Sequence, residues 1–200
     1  HWSAATIDLL GYLPGSAQAV RDPWAALASL PITHPYQIAG AERVRRAIDT
    51  FRTWSAEAGV PYVGQMQPGE NLMLPSPVGA MRPVQLAPQG QAAGDLSLEQ
   101  PILIVGFHGL NDFFPAMLAA NLSAQGLPAR HVFLPWALLT DRHVANAVHL
   151  AEALDKPARH VALAKAIAAL AQPGERIGLP AILGLYAHDT VMSTLQQAIG

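Results

Sequence analysis

Residues 101–115 read Pro-Ile-Leu-Ile-Val-Gly-Phe-His-Gly-Leu-Asn-Asp-Phe-Phe-Pro. The first seven form an unbroken apolar run, the mark of a strand buried on both faces. The spacing that follows predicts a helix over 112–125, with Phe114, Leu118 and Leu122 on one face and a stop at Gly126 and Pro128. His131–Leu134 reads as a second strand. Helices are expected near 141–155, with Val144, Val148, Ala151 and Leu154 in register, and over 157–171, where Pro157 suits a first helical position. Ile177–Leu185 is a third apolar strand, and Asp189 caps a last helix with Met192, Leu195 and Ile199 inward. Strands alternating with helices imply parallel pairing and right-handed crossovers.

The first half is less regular. In residues 1–39, Pro14, Gly15, Pro23, Pro31 and Pro35 interrupt every short apolar stretch, so an irregular arm lying on something else is expected. A helix is predicted over 41–58, with Val44, Ile48 and Phe51 as its stripe and Trp54 beside them in the core. A strand follows at 61–66. Residues 71–75 and 80–87 suggest an antiparallel pair, Pro83 confining the second to an edge. The polar connection 88–100 is the candidate subdomain boundary within a domain running from 40 to 200. The fold class is therefore α/β: a mixed sheet with parallel strands, flanking helices, an antiparallel edge and an irregular N-terminal arm.

The chain has 200 residues, 51% hydrophobic and 13% charged, with formal net charge −2. A typical globular chain is about 25% charged. The 10 Arg and 2 Lys are spread thinly, so no nucleic-acid partner is expected. Cysteine is absent, which excludes disulfides, thiolate metal sites and a Cys nucleophile. No apolar run reaches the roughly 18 residues that span a bilayer, and no signal peptide is recognised. The first residue is His1 rather than Met, and the low charge fits a piece that packs against more protein.

Ligands of parallel α/β sheets collect beyond the carboxyl ends of the strands. Two segments occupy such ends, Gly106-Phe107-His108-Gly109-Leu110-Asn111-Asp112 and Gly184-Leu185-Tyr186-Ala187-His188-Asp189. Glycine allows close backbone approach, a helix start favours an anion, and a histidine moves protons near neutral pH. Asp112 and Asp189 read equally well as ordinary helix caps. Gly106, Gly109 and Asn111 are candidate substrate contacts, and His108 and His188 candidate bases. Arg82 and Arg130 are candidate phosphate partners, because a guanidinium grips phosphate through two hydrogen bonds. His143 and His149 fall on different helix faces and make no metal pair. HExxH, Gly-x-Ser-x-Gly, a Walker loop and Gly-x-Gly-x-x-Gly are all missing, so the chain fails as an intact dinucleotide-binding protein.

Several strings, in order, carry a family likeness. They are Ser3-Ala4-Ala5-Thr6-Ile7-Asp8-Leu9-Leu10 followed by Leu13-Pro14, His34-Pro35-Tyr36, Ile104-Val105-Gly106 with Gly109-Leu110 and Asp112-Phe113, Ala147-Val148 with Leu154-Asp155, and Leu179-Pro180-Ala181 with Gly184-Leu185. Together the chain resembles the family of B-type flavoprotein subunits of anaerobic glycerol-3-phosphate dehydrogenase, FAD-dependent oxidoreductases. The resemblance implies FAD in an intact parent, with the flavin's Gly-rich unit upstream of the Ser-rich stretch. It implies oxidation of sn-glycerol 3-phosphate to dihydroxyacetone phosphate, electrons passing towards quinone, and partner subunits. The parent would be cytoplasmic, peripheral at the inner face of the membrane. Ser3 and Thr6 fall where family residues run close to the flavin, although Ala4 and Ala5 stand where the family has Ser and Gly. The chain itself would be the substrate-binding or capping piece, inactive and without bound flavin on its own, its partners being the rest of its flavin domain and a small phosphorylated or hydroxylated substrate. The alternative is a stand-alone, non-catalytic α/β module that binds a small anion.

Overall fold

The computed structural model describes residues 5–65, 69–142, 146–186 and 188–199. The chain divides into two compact units, one running to Ser76 and including Met81–Leu98, the other made of Pro77–Ala80 and the residues from Glu99 onward. In the first unit the helices are α1 (Pro23–Leu27), α2 (Pro35–Ala39) and α3 (Ala41–Glu57), followed by strands β1 (Tyr62–Val63), β2 (Leu72–Pro75), β3 (Met81–Val84) and β4 (Ala87–Pro88) and the short α4 (Gln89–Ala92). The second holds β5 (Ile102–His108), α5 (Pro115–Ala124), β6 (Ala129–Pro135), α6 (Ala147–Leu154), α7 (Pro157–Ala168), β7 (Arg176–Gly178) and α8 (His188–Ile199).

The N-terminal segment is more ordered than its prolines suggest. Pro23 and Pro35 each sit in the first turn of a helix, where a missing N–H costs nothing. Asp22 accepts the amide of Ala25 at 3.0 Å, and His34 Nδ1 accepts that of Tyr36 at 3.2 Å. Leu10, Leu27 and Leu30 form a small core with Leu13, Trp24 and Tyr36 packed on it. Buried Asn71 ties this segment to the hairpin by donating Nδ2 to the carbonyls of Leu10 (3.0 Å) and Val20 (2.8 Å). Ile7 bridges Leu86 through N–H···O of 2.8 Å.

Along α3, Val44, Ile48 and Phe51 are partly buried, as their spacing predicts, and Phe51 meets Tyr62 edge-on at 4.9 Å. Trp54 is 64% exposed instead of buried, because buried Ser55 takes the stripe's next position. β2 pairs antiparallel with β3 in the register Leu72↔Val84, and β1 with β4. Among the described residues these pairs are separate two-stranded sheets rather than an edge on the parallel sheet. Asp95, 3% exposed, is held by the amides of Met73 (3.0 Å) and Ser97 (3.1 Å), the Ser97 hydroxyl (2.8 Å) and Gln65 Nε2.

In the second unit the sheet is parallel with order β6-β5-β7. Ile102–Phe107 is buried throughout, as its unbroken apolar sequence requires. Leu103, Val105 and Phe107 pack with Leu150, Leu154, Leu163, Ile167, Val191 and Leu195 of the helices. His160, 2% exposed, ties α7 to the end of α6 through a ring nitrogen 2.5 Å from the Leu154 carbonyl. α5 begins at Pro115 rather than at 112, so Asp112 does not cap it. α6 begins at 147 behind an Asn146–His149 capping box; Val144 lies outside the described residues. β7 stops at Gly178, because Pro180 has no N–H for a ladder and the chain bends there. α8 buries Val191 and Leu195, with Met192 and Ile199 only partly covered; Asp189 is in its first turn, not before it.

Alternate positions of β5 face opposite sides. At Gly106 a Cβ would lie 2.4 Å from Pro115 Cγ. Gly106→Ala should therefore lower the unfolding free energy by about 1–3 kcal/mol, read as a shifted urea midpoint. An unchanged midpoint would mean that Pro115 is not seated there.

Candidate functional site

At the carboxyl end of the parallel sheet, the chain's own groups occupy the places an anion would use. The missing Cβ of Gly106 makes room for Pro115. Gly109, at φ 92°, makes room for Trp136, whose ring would lie 2.9 Å from a Cβ. Pro115 also deprives the start of α5 of an N–H. Asp112 instead accepts the first amide of α6, Ala147, at 3.4 Å. Asp155 accepts the successive amides of Leu185 (3.0 Å) and Tyr186 (2.9 Å) through one oxygen. Asn111 is exposed in the turn, and His188 is exposed at the first residue of α8. His108 is exposed and stacked on Phe133, with ring centroids 4.9 Å apart and planes 20° apart; Phe133 in turn meets His131 edge-on at 5.7 Å. No ring contact or hydrogen bond joins His108 to His188 among the described residues.

The first unit brings two of the candidate residues together. Arg82 Nη2 donates to Thr6 Oγ1 at 3.2 Å, and the Thr6 hydroxyl donates to Asp8 Oδ1 at 2.8 Å. Arg82 Nε is buried and has no acceptor among the described residues. No carboxylate lies within ion-pair distance of Arg82 among them. A buried donor left unmet costs about 1–3 kcal/mol, so this guanidinium is under-satisfied. Asp8 is a residue that sequence alone does not single out; its one local signal is the Thr-x-Asp spacing that lets a hydroxyl reach a carboxylate two residues on. Ser3 lies outside the described residues.

The sequence model of a family described as "FAD binding domain" matches residues 1–199. The chain belongs to that family. Among curated proteins it is similar to the probable B-type subunit of anaerobic glycerol-3-phosphate dehydrogenase from Halobacterium salinarum, 32% identical over 197 residues, covering 91% of this chain and 44% of that protein. The corresponding anaerobic glycerol-3-phosphate dehydrogenase subunit from Pectobacterium carotovorum is 32% identical over 211 aligned positions, covering 100% of this chain and 49% of that protein. The family likeness read from the ordered strings is thus borne out. The chain spans about half the length of the curated relatives it matches. No solved structure matches it.

FAD needs a glycine turn whose backbone can approach the pyrophosphate, ahead of a helix start with free amides. The β5–α5 turn has the glycines but spends them on Pro115 and Trp136. Thr6 offers one hydroxyl, already engaged by Asp8 and Arg82. The described residues therefore do not fit a whole FAD site. Among them there is also no group of three or more His, Asp or Glu placed to hold a metal, and no helix long and apolar enough to cross a membrane.

Arg130 sits opposite Leu103, five residues and roughly 16 Å before His108 along β5. Its Nε and Nη2 each meet a Glu175 oxygen at 2.6 Å, and Nη2 also meets the Leu170 carbonyl at 2.7 Å. The two-toothed grip proposed for a phosphate is already taken by a carboxylate. The hydrogen bonds from Arg130 hold the Glu175 carboxyl below its usual range against the opposing effect of burial, with the Gln172 amide helping. Glu175 in return holds the guanidinium above its ordinary value. The pair's contribution is complete above the range where a free glutamic acid titrates, and it fades as pH falls through the lowered folded value. With the Arg130 side chain 36% exposed, the loss on Glu175→Gln should be about 1–2 kcal/mol at neutral pH. Urea midpoints should show that difference shrinking as pH falls below the range where a free glutamic acid titrates. A difference independent of pH would contradict the pairing.

Proposed function

We propose that this chain is the substrate-side part of an FAD-dependent dehydrogenase that oxidises glycerol 3-phosphate to dihydroxyacetone phosphate. The nucleotide cradle would come from sequence beyond these 200 residues. The observation that carries the reading is the conflict between a family match over 1–199 and a β5–α5 turn filled by Pro115 and Trp136. The names of the relatives and their roughly doubled length support it. In this reading Ser3 and Thr6 run beside the flavin. Arg82, whose charge has no carboxylate partner among the described residues, is a better candidate for the substrate's anion than Arg130. In the second unit, taken by itself, Gly106 and Gly109 are committed to Pro115 and Trp136, which leaves exposed Asn111 as that turn's candidate substrate contact. His108 or His188 takes the proton from the substrate hydroxyl. The relatives' designation as one subunit of a dehydrogenase supports a multi-subunit assembly. In this reading the assembly passes electrons towards quinone at the inner face of the membrane, and the parent is otherwise cytoplasmic.

The test uses two proteins. The full-length protein should carry stoichiometric FAD and reduce an artificial electron acceptor when given glycerol 3-phosphate, and the 200-residue chain should purify colourless. Stoichiometric flavin on the short chain, or a flavin-loaded full-length protein inert towards glycerol 3-phosphate, would refute the reading. In the full-length protein, loss of the base through His108→Ala or His188→Ala should cut kcat by about 10²–10⁴ and remove one limb of the pH profile. If neither variant does so, neither histidine is the base.

A further inference from the structure

The first unit contains a cation and a carboxylate joined by one hydroxyl. Arg82, Thr6 and Asp8 form a line in which Thr6 Oγ1 accepts from Arg82 Nη2 at 3.2 Å and donates to Asp8 Oδ1 at 2.8 Å. Asp8 is exposed, and no hydrogen bond engages its second oxygen among the described residues. The guanidinium has one neutral partner, no carboxylate, and a buried Nε–H with nothing to accept it among the described residues. This contrasts with Arg130, whose Nε and Nη2 are both saturated by Glu175. The residue before Thr6, Ala5, is held at φ 53°, a left-handed conformation that a non-glycine residue adopts at a cost. Arg82 thus lacks one acceptor among the described residues, beside an exposed carboxylate open to a ligand.

We propose that Arg82, Thr6 and Asp8 recognise a phosphate monoester carrying a nearby hydroxyl, Arg82 taking the phosphate and Asp8 accepting a hydrogen bond from a hydroxyl as a binding contact, not as the base. A phosphate supplies several oxygens to a planar fork that Thr6 alone fills poorly. Asp8 repels phosphate by itself, so the site rejects an anion that brings no donor to offset it. Selectivity for hydroxyl plus phosphate then arises from the carboxylate as much as from the guanidinium. Thr6 holds the two charges apart and in register, since its single hydroxyl serves both. This deepens the substrate-side reading and rests on it for the choice of ligand.

The test is calorimetric titration of the flavin-loaded full-length protein with glycerol 3-phosphate, sulfate (an anion with no O–H at neutral pH) and glycerol, with thermal midpoint and flavin absorbance recorded for every variant. The wild type should prefer glycerol 3-phosphate to sulfate and ignore glycerol. Arg82→Gln should weaken glycerol 3-phosphate at least tenfold, with Arg82→Lys intermediate. Asp8→Asn should weaken glycerol 3-phosphate and tighten sulfate, an inversion that a purely structural role would not produce. Should Arg82→Gln lose its fold, Arg82→Lys and Thr6→Val carry the test, each expected to weaken glycerol 3-phosphate at least threefold. The comparison variant is Arg45→Gln. Arg45 belongs to the same unit, lies 4.2 Å over the Trp24 ring, and makes no ion pair among the described residues. Unchanged binding in folded Arg82→Gln, loss on Arg45→Gln in its place, or equal response of glycerol 3-phosphate and sulfate to Asp8→Asn would overturn the proposal. Binding through Arg82 without oxidation would sink the dehydrogenase reading and leave this site standing. Oxidation with an unchanged KM in Arg82→Gln would do the reverse.

Discussion

Strand β5 is enclosed on both faces, and at Gly106 the enclosure is so close that Pro115 occupies the volume of a side chain. Much of the second unit's chemistry follows from that contact. Proline at the start of α5 gives up the amide that would face a ligand, and its ring fills the approach that glycine opens. Trp136 does the same at Gly109. Asp112 and Asp155 then engage amides at Ala147 and at Leu185 and Tyr186. A region that in outline looks like a nucleotide turn is internally satisfied.

The same contrast between met and unmet demand separates the two arginines. Arg130 finds its counter-charge in Glu175, and the pair fastens the start of β6 to the segment ahead of β7. Its charge is spent on the fold. Arg82 has a neutral hydroxyl and an orphaned donor, an arrangement that leaves free energy for a ligand to recover. The family matched over 1–199 is described by FAD binding, while the described residues do not fit a whole FAD site.

Periodicity is readable where burial decides the structure. The apolar run 101–107 announces β5, the 3.6-residue spacing announces α3 and α5, and Pro157 announces the start of α7. What periodicity does not show is local chemistry that depends on a partner. Asp22-Pro23 and His34-Pro35 look like interruptions, yet each is a cap followed by a first helical residue. Trp54 fits the apolar pattern of α3 but lies one residue off the buried face that Ser55 occupies. Pro180 cuts short a strand that hydropathy alone would continue. Among the site residues, the pairing of Arg130 with Glu175 spans 45 residues and that of Arg82 with Thr6 spans 76, distances over which a single sequence carries no signal. Asp8 shows only its Thr-x-Asp spacing in the sequence, because its link to Arg82 runs through the fold.

The β5–α5 turn is spent on packing, and in the proposed reading any flavin contact of this stretch is made through the segment around Thr6. Amide hydrogen exchange of the full-length protein with and without FAD tests it most directly. The account predicts no change in peptides covering 106–115 and slowed exchange in a peptide containing Thr6 and Asp8. Protection of 106–115 on adding FAD, with the Thr6 peptide unaffected, would contradict it.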